Sequence, residues 1–499
     1  MRDPNVVRHL VRLAAEQGDQ LAVVEPGGDR IDFAGLDQRT ACFAGGLRAQ
    51  GVPEGARILV LAPMGIPLYV ALLGVFRAGC TAVLVDPSAP RALLRATLAT
   101  MDLHGFVGSP KAQLLRISIP ELRGLRLYVS TGFVPLPHRS LHGVVGDPFG
   151  PEPATVPALV TFTTGTSGRA RAMARRHTFL DAQRVALTEH MGLGPTDVDL
   201  ATLPVFLLNS LSAGATCVLA DADLSKVGSA DPARIARQLS EWKVTTTSGS
   251  PSFFAPLARS LQADGQTLPH LRKLFVGGGR VPSRLLEQLK AVAPQADVVV
   301  HYGSTEADPI ASVEAAEVLG MGGDGAGRGS CVGAPSPGLQ LELWRPGGTE
   351  PAGADEPGEV VVAGDHVNRS YLNDPEADAR YKVQRDGRVW HRTGDVARLD
   401  AQGRVWLLGR VGEAIDGRWP LVVEAVAESL PWVRRAGLSV RGDEPVLMVE
   451  SFDGQRPEDW REQLSESCGV NVFVEGAVPV DHRHNAKVDR GALARIVST

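Results

Sequence analysis

The sequence predicts an α/β protein. The expected architecture is a large N-terminal domain of layered, mostly parallel sheets with helices, carrying a small β-barrel-like subdomain, followed by a smaller α+β C-terminal domain. Three observations lead there. Strand-like and helix-like segments alternate from about residue 58 to residue 300, the pattern of parallel strands joined by helical crossovers. Three apolar runs in that region end in small or polar residues, at 159–171, 274–279 and 297–306, and ligands collect at the carboxyl ends of parallel strands. After about residue 337 the pattern becomes short alternating strands separated by Gly and Pro, as in a small antiparallel barrel or sheet. The expected boundaries are 1–408 for the N-terminal domain, about 337–408 for its β subdomain, 409–412 for a break, and 413–499 for the C-terminal domain. A chain of 499 residues is too long for one typical core, so more than one domain is expected on length alone.

Taken in order, residues 34–50 read as an amphipathic helix with Leu36, Cys42, Phe43 and Leu47 on its apolar side. Residues 58–62 read as a strand, 68–77 as a buried helix, 81–86 as a strand and 90–101 as a helix, while 109–155 mix Pro, Gly and His without a clear period. Helices are expected at 177–191, at 231–242 with Asp231 as N-cap before Pro232, and at about 282–291. Strands are expected at 199–203, 215–220, 244–248, 274–276 and 297–300. The β-rich region offers 339–344, 359–363, 389–392 and 405–408. The C-terminal region reads as helix 422–430, strands 436–440 and 445–451, helix 458–465, strand 470–474 and helix 490–497.

Composition excludes several classes. A hydrophobic content of 44% with 21% charged residues suits a globular chain, and a net charge of -5 leaves no electrostatic footprint for nucleic acid. The five cysteines, Cys42, Cys80, Cys217, Cys331 and Cys468, lack metal-ligand spacing and are expected as reduced thiols in a cytoplasm. Met1-Arg2-Asp3-Pro4 opens no apolar run, so no secretion signal is expected. Residues 58–76 are uncharged, but Pro63, Gly65 and Pro67 divide them into strand, turn and helix rather than a membrane span.

The most informative stretch is 159–171. A β-branched apolar run gives way to Thr163, Thr164, Gly165, Thr166, Ser167 and Gly168, then to Arg169 and Arg171. Hydroxyls, glycine N–H groups and a cation together can cradle a polyphosphate. The Gly165–Gly168 spacing is too short for a Walker A loop, and the Lys-Ser/Thr pair is absent.

Together the motifs carry a family resemblance. Residues 163–171 resemble the Ser/Thr/Gly-rich phosphate loop of adenylate-forming enzymes, the acyl-CoA synthetases, luciferases and adenylation domains. Gly277, Gly278 and Gly279 resemble their adenine-side glycines. His301-Tyr302-Gly303-Ser304-Thr305-Glu306 is similar to their aromatic-Gly-x-Thr-Glu motif, and Arg392-Thr393-Gly394-Asp395 to their Arg-Thr-Gly-Asp motif. Gly409-Arg410 stands where their interdomain hinge begins, which implies a mobile C-terminal domain, and Lys487 stands at their C-terminal catalytic lysine. Residues 302–310, 327–333 and 479–487 look most like the β-lactone synthetases of bacterial olefin biosynthesis.

The resemblance implies ATP and Mg²⁺ as cofactors and a small carboxylic acid as substrate, with no nucleic acid, and it leaves room for pathway enzymes as partners. Residues 163–168 would hold the β- and γ-phosphates, and Arg171 would add charge where the family pattern has lysine; Ala170 and Ala172 replace the family's Pro and Gly. Arg and Lys carry the same charge with different geometry. Tyr302 would stack on adenine, Thr305 would contact the α-phosphate and Glu306 would bind Mg²⁺, a hard cation that takes oxygen ligands. Asp395 and Arg410 would reach the ribose, Gly303 and Ser304 would also bind the cofactor, and Lys487 would bridge the attacking carboxylate and the phosphate. His177, Phe206, Asn209, Ser250, Phe253 and His301 are candidate walls or bases of the acyl pocket.

The fate of the adenylate separates the readings. The thioester-forming pattern after Gly-Arg runs through Ile-Lys to Gly, whereas here Ile415 is followed by Asp416 and Gly417. The first expectation is a β-hydroxy acid whose own hydroxyl closes a β-lactone. Acyl-CoA synthesis, amide formation or carrier-protein loading is the second, and a nucleotide-binding relative without catalysis is the third.

Overall fold

The computed structural model describes residues 3–86, 89–164, 170–223, 227–353, 355–452, 456–481 and 487–498. They form two compact units: Met1–Ala220 with Asp365–Lys382, and Asp221–Gly364 with Val383–Thr499.

The first unit is built on a seven-stranded sheet in the order Arg139–Ser140, Leu127–Ser130, Leu103–Gly108, Arg57–Leu61, Thr81–Val83, Leu159–Thr164, Ala170–Arg175. Every neighbouring pair is parallel except the last, which is an antiparallel hairpin. Strands Leu21–Val24, Thr216–Leu219 and Val198–Ala201 pair in parallel, and Arg30–Asp32 runs antiparallel to the first of them. The helix Phe33–Ala49 starts where the Asp32 carboxylate accepts the Gly35 N–H at 2.7 Å, an N-cap. The apolar stretch that could be mistaken for a membrane span is strand Arg57–Leu61 followed by helix Ile66–Arg77, buried on nearly every face. Phe33, Phe43, Ile58, Tyr69 and Phe76 fill the core around it. Among the described residues no helix is long and apolar enough to cross a membrane.

The second unit carries a sheet in the order Thr246–Gly249, Lys273–Gly277, Asp297–Ser304, Ala307–Glu314, Ser330–Pro335, Val405–Arg410, Arg388–Leu399, Gly358–Ala363, Gln340–Trp344. Its first three strands are parallel and the rest antiparallel. The C-terminal part adds a three-stranded sheet, Val433–Arg441, Glu444–Ser451 and Val472–Glu475, with helices Pro420–Ser429, Trp460–Cys468 and Arg490–Val497. Trp432, Leu447, Trp460 and Leu464 fill one side of it, and Met448, Leu493 and Val497 the other.

Most elements read from the sequence appear within a few residues of expectation, but the strand expected at 389–392 runs from Arg388 to Leu399, and the structure adds several that the sequence did not announce. Ala170–Arg175 is a strand although it lacks β-branched residues; pairing with Leu159–Thr164 sets its conformation, as tertiary context overrides propensity. Asp297 begins a strand that continues through Ser304, so the Tyr-Gly-Ser motif lies on a strand, and Ala307–Glu314 returns antiparallel to it. Helix Pro251–Ala263 was hidden by the internal Pro256, a helix-breaking signal that this helix tolerates. Helix Pro204–Ser212 is apolar on most faces and shows no helical period to read.

Candidate functional site

In the first unit the 159–171 stretch is a β-hairpin. Thr163 pairs in register with Arg171 and Thr164 with Ala170. Gly165, Thr166, Ser167 and Gly168 lie outside the described residues, as does the side chain of Thr164. Thr161 and Thr163 lie on one face of the strand, and the hydroxyl oxygen of each is buried without a hydrogen-bond partner among the described residues. A buried hydroxyl without a partner costs free energy. A phosphate oxygen near the hairpin tip is a fitting acceptor for Thr163, so this end of the hairpin suits a polyphosphate.

Arg171 is held from the side. Its Nη2 donates to the Tyr381 hydroxyl at 3.0 Å, and its guanidinium lies 4.3 Å from the Tyr381 ring centroid and 5.8 Å from that of Tyr371. Both tyrosines come from the 365–382 segment, which joins the hairpin where the Leu372 N–H donates to the Ala172 carbonyl at 2.7 Å. A guanidinium against aromatic faces is attracted by their quadrupoles, and its fork can still donate. Sequence reasoning missed Tyr371 and Tyr381. Only their shared stretch beside Lys382, far along the chain from the hairpin, could have flagged them.

His177 opens the helix His177–Met191 and is fully buried. Its Nδ1 accepts the Val6 N–H at 3.2 Å, and its ring meets Phe76 edge to face at 6.1 Å between centroids. Burial holds its pKa down at about 4, so the imidazole is neutral at pH 7. Phe206 and Asn209 are buried on helix Pro204–Ser212. Asn209 Oδ1 accepts from the Thr188 hydroxyl at 3.2 Å, and its amide nitrogen lies 3.7 Å from the Met191 sulfur.

The second unit carries the remaining motifs on two pairs of neighbouring strands, Lys273–Gly277 with Asp297–Ser304 and Arg388–Leu399 with Val405–Arg410. Gly277 ends strand Lys273–Gly277 opposite His301, and a Cβ there would lie 2.2 Å from the His301 carbonyl oxygen. No side chain fits that approach. Gly278 takes φ +83° in open space, and Gly279 continues the bend. The Tyr302 hydroxyl donates to Asp395 Oδ2 at 2.6 Å. Burial and then the adjacent carboxylate push the phenol pKa well above its ordinary value, so the hydroxyl keeps its proton and acts as donor. Asp395 pairs in register with Arg410, whose Nε lies 3.3 Å from Asp395 Oδ1 and whose Nη2 donates to the Thr393 carbonyl at 3.1 Å. The Thr393 hydroxyl in turn accepts the Asp395 N–H at 3.1 Å and donates to the Val360 carbonyl at 2.9 Å. Gly409 and Arg410 are thus the end of a strand, and the turn follows at Val411 and Gly412.

Ser304 closes the strand and its hydroxyl accepts the Ala307 N–H at 3.2 Å, so Thr305 and Glu306 sit at the tip of a tight turn. Glu306 is buried. Among the described residues no three His, Cys, Asp or Glu side chains cluster as a metal site. A single buried carboxylate suits Mg²⁺, which is commonly held by one or two carboxylates together with substrate phosphates. His301 and Asp308 face each other across the same hairpin, Nε2 to Oδ1 at 2.7 Å. A Cβ on Gly303 would fall 2.1 Å from Asp308 Oδ1, so this glycine makes room for the pair. The sequence offered no sign of Asp308 beyond its place two residues after Glu306.

Ser250 is the N-cap of helix Pro251–Ala263: its hydroxyl accepts the Phe253 N–H at 3.3 Å and lies 2.8 Å from the Ser252 hydroxyl. Phe253 is buried edge to face against Phe254, 5.2 Å between centroids. Lys487 is exposed, and its backbone exchanges hydrogen bonds with Asp481: its N–H donates to Asp481 Oδ1 at 2.9 Å and its carbonyl accepts the Asp481 N–H at 2.9 Å.

Comparison with known proteins speaks to the family and the fold. The model of the AMP-binding enzyme family matches residues 10–372. The chain is 30% identical to an olefin beta-lactone synthetase of Stenotrophomonas maltophilia, with 99% of this chain and 98% of the relative covered. A protein of the same description from Xanthomonas campestris is also 30% identical, over 98% and 97%. Among solved structures, the amide bond synthetase McbA from Marinactinospora thermotolerans superposes with a TM-score of 0.82 at 23% identity over 99% of each chain. ATP-bound MatB from Rhodopseudomonas palustris superposes with a TM-score of 0.82 at 20% identity over 100% of this chain and 99% of its own. At those identities the structures speak to the fold, whereas the family match and the near-full-length relatives speak to descent. The chain belongs to the AMP-binding enzyme family and is an adenylate-forming ligase.

Proposed function

We propose that this ligase activates a β-hydroxy carboxylic acid as its acyl-adenylate and then closes it to a β-lactone. The observation that carries the second step is the segment after Arg410. Where the thioester-forming pattern places lysine, Asp416 stands in a tight turn at φ +49°, bridged from Ile415 to Arg418 and ion-paired with Arg418. The relatives that cover the chain almost completely, described as olefin beta-lactone synthetases, support the same reading.

In the first step a carboxylate oxygen attacks the α-phosphorus of ATP and pyrophosphate leaves. Residues 163–168 and Arg171 hold the leaving phosphates, Tyr302 stacks on the base, Asp395 and Arg410 hold the ribose, and Thr305 contacts the α-phosphate. Glu306 would hold Mg²⁺, which when bound would supply charge neutralisation to the phosphates. Positioning and electrostatics supply most of the catalysis in such a transfer. Lys487 lies between the two anions. Two unit charges about 4 Å apart interact by roughly 4 kcal/mol at an effective dielectric of about 20, and cancelling that repulsion is worth about three powers of ten in rate. Residues 413–499 form the lid that carries Lys487, turning at 409–412.

In the second step the β-hydroxyl oxygen attacks the acyl carbon, its proton passes to His301 as base, and the C–O bond to the phosphate breaks as AMP leaves. Ring strain opposes closure, but a well-oriented internal nucleophile can act as if present at ~10⁵ M or more, beyond any free thiol. His301, paired with Asp308, and His177, Phe206, Asn209, Ser250 and Phe253 are the proposed surroundings of the acid.

The test is product identification with ATP, Mg²⁺ and a panel of β-hydroxy acids in the absence of coenzyme A and amines. Lactone, AMP and pyrophosphate in equal amounts are expected. A strict requirement for coenzyme A or an amine would replace lactone closure with thioester or amide formation. Absence of pyrophosphate exchange across the panel would leave a nucleotide-binding protein.

A further inference from the structure

The C-terminal part of the second unit is fastened by charges that the proposed chemistry does not use. Arg280, just after Gly277–Gly279, directs its two terminal nitrogens at two different carboxylates. Nη1 donates to Asp324 at 2.7 Å and Nη2 donates to Glu428. All three side chains are about 8% exposed. Burial works against the Arg280 charge, and Asp324 and Glu428 more than restore it, so the guanidinium stays protonated. Burial pushes the Glu428 pKa up, with Arg280 and the Ala436 N–H pulling it back. Arg284, one turn further on, donates to the carbonyls of Val433, Glu428 and Leu430 at 3.2, 3.2 and 2.9 Å. Two of these, Glu428 and Leu430, lie where the end of helix Pro420–Ser429 leaves carbonyls without helical partners.

The same helix carries Glu424 one turn before Glu428. Like charges at that spacing repel, and each has its own cation. Glu424 is bonded at both oxygens by Arg490, with Nη2 to Oε2 at 3.0 Å. Each carboxylate also accepts a backbone N–H from strand Val433–Arg441, Glu428 from Ala436 at 3.0 Å and Glu424 from Leu438 at 2.9 Å. A line of charges therefore runs Asp324, Arg280, Glu428, then Glu424, Arg490. Arg280 lies one residue beyond Gly279, and Arg490 lies three residues beyond Lys487.

A buried ion network is a poor source of stability, because desolvation consumes most of its attraction and apolar residues of equal volume would hold as well. In some proteins buried charges instead select one register. We propose that Arg280, acting through Glu428, and Arg490, acting through Glu424, are positioning residues that fix the Lys487-bearing part against the Gly277–Gly279 loop. The proposal rests on the role of Lys487 given above.

The test uses a charge-free variant of the full chain, Arg280→Met with Asp324→Asn and Glu428→Gln, whose amide oxygens can still accept the Ser283 and Ala436 N–H groups that the carboxylates accept now. Three rates are read: pyrophosphate exchange, which depends on Lys487; conversion of a supplied synthetic 3-hydroxyacyl-adenylate, which does not; and exchange by Lys487→Ala. The expected result is a melting temperature within a few degrees of wild type, a tenfold or greater fall in kcat for exchange with the KM for ATP within twofold, and conversion of the supplied adenylate within twofold. Arg280→Lys, which keeps the charge but reaches one carboxylate, should fall between. Wild-type exchange in the charge-free variant, or equal loss of both half-reactions, would overturn the proposal. Full exchange by Lys487→Ala would instead overturn the role assigned to Lys487, so the two failures are told apart.

Discussion

The Tyr302 hydroxyl donates a 2.6 Å hydrogen bond to Asp395, so the ring proposed to stack on the base also orients the carboxylate proposed to hold the ribose. Tyr302→Phe keeps the ring and removes the bond. Hydrogen bonds to charged groups contribute about 1.5–3 kcal/mol. The expected outcome is a roughly tenfold rise in the KM for ATP with a kcat change under about threefold, read by exchange kinetics. A KM equal to wild type would show that Asp395 is held without it.

Lys487 is exposed and its hydrogen bonds to Asp481 are made by its backbone. Lys487→Ala should therefore leave the unfolding free energy within about 0.5 kcal/mol of wild type. Pyrophosphate exchange should fall by about three powers of ten. Chemical denaturation and exchange on the same preparation check both halves.

Arg171 is steadied by Tyr381 through a hydrogen bond and a ring face. Tyr381→Phe keeps the face and should raise the KM for ATP by less than about threefold. Tyr381→Ala removes both, and a cation–π contact is worth about 0.5–1 kcal/mol, or more when desolvated; a rise of about fivefold is expected. Equal effects of the two substitutions would assign the role to the hydroxyl.

His177 is held neutral by burial, with a pKa of about 4 against 6.5 for the free side chain. Below pH 6.5 the unfolded chain binds a proton that the folded chain refuses, so acid destabilises the fold until about pH 4, where the folded histidine also protonates. At about pH 4.5 this contribution should amount to about 2 kcal/mol less stability than at about pH 7. Urea unfolding of wild type and His177→Gln at both pH values measures it. The gap between the two proteins should shift by that amount in favour of the variant at the lower pH.

Much of the fold was legible because its signals are local. The 159–164 run and the Asp231-Pro232 pair each state their own conformation through residue type and spacing, whereas the strand read at 297–300 runs on through Tyr302, Gly303 and Ser304. Proline suits the first helical position, and Asp231 accepts the Ala233 N–H at 3.0 Å as the cap. What stayed hidden depends on partners distant along the chain. Ala170–Arg175 is a strand only because Leu159–Thr164 lies beside it. Tyr381 reaches Arg171 across 210 residues, and Arg280 reaches Glu428 across 148. No period or turn signal marks such pairs, since each charged residue alone reads as an ordinary surface side chain.

The hairpin that carries Thr163 and Arg171 has a consequence for how anions are held. In nucleotide sites where a glycine-rich loop opens a helix, the aligned peptide dipoles of that helix meet the phosphates. Here the described residues on either side of 165–169 are paired strands, and the next described helix begins at His177. Strand dipoles largely cancel. Among the described residues at this end of the two strands, Arg171, opposite Thr163, offers a discrete cation. Binding of the triphosphate at Arg171 should accordingly weaken with added salt, which screens a discrete charge.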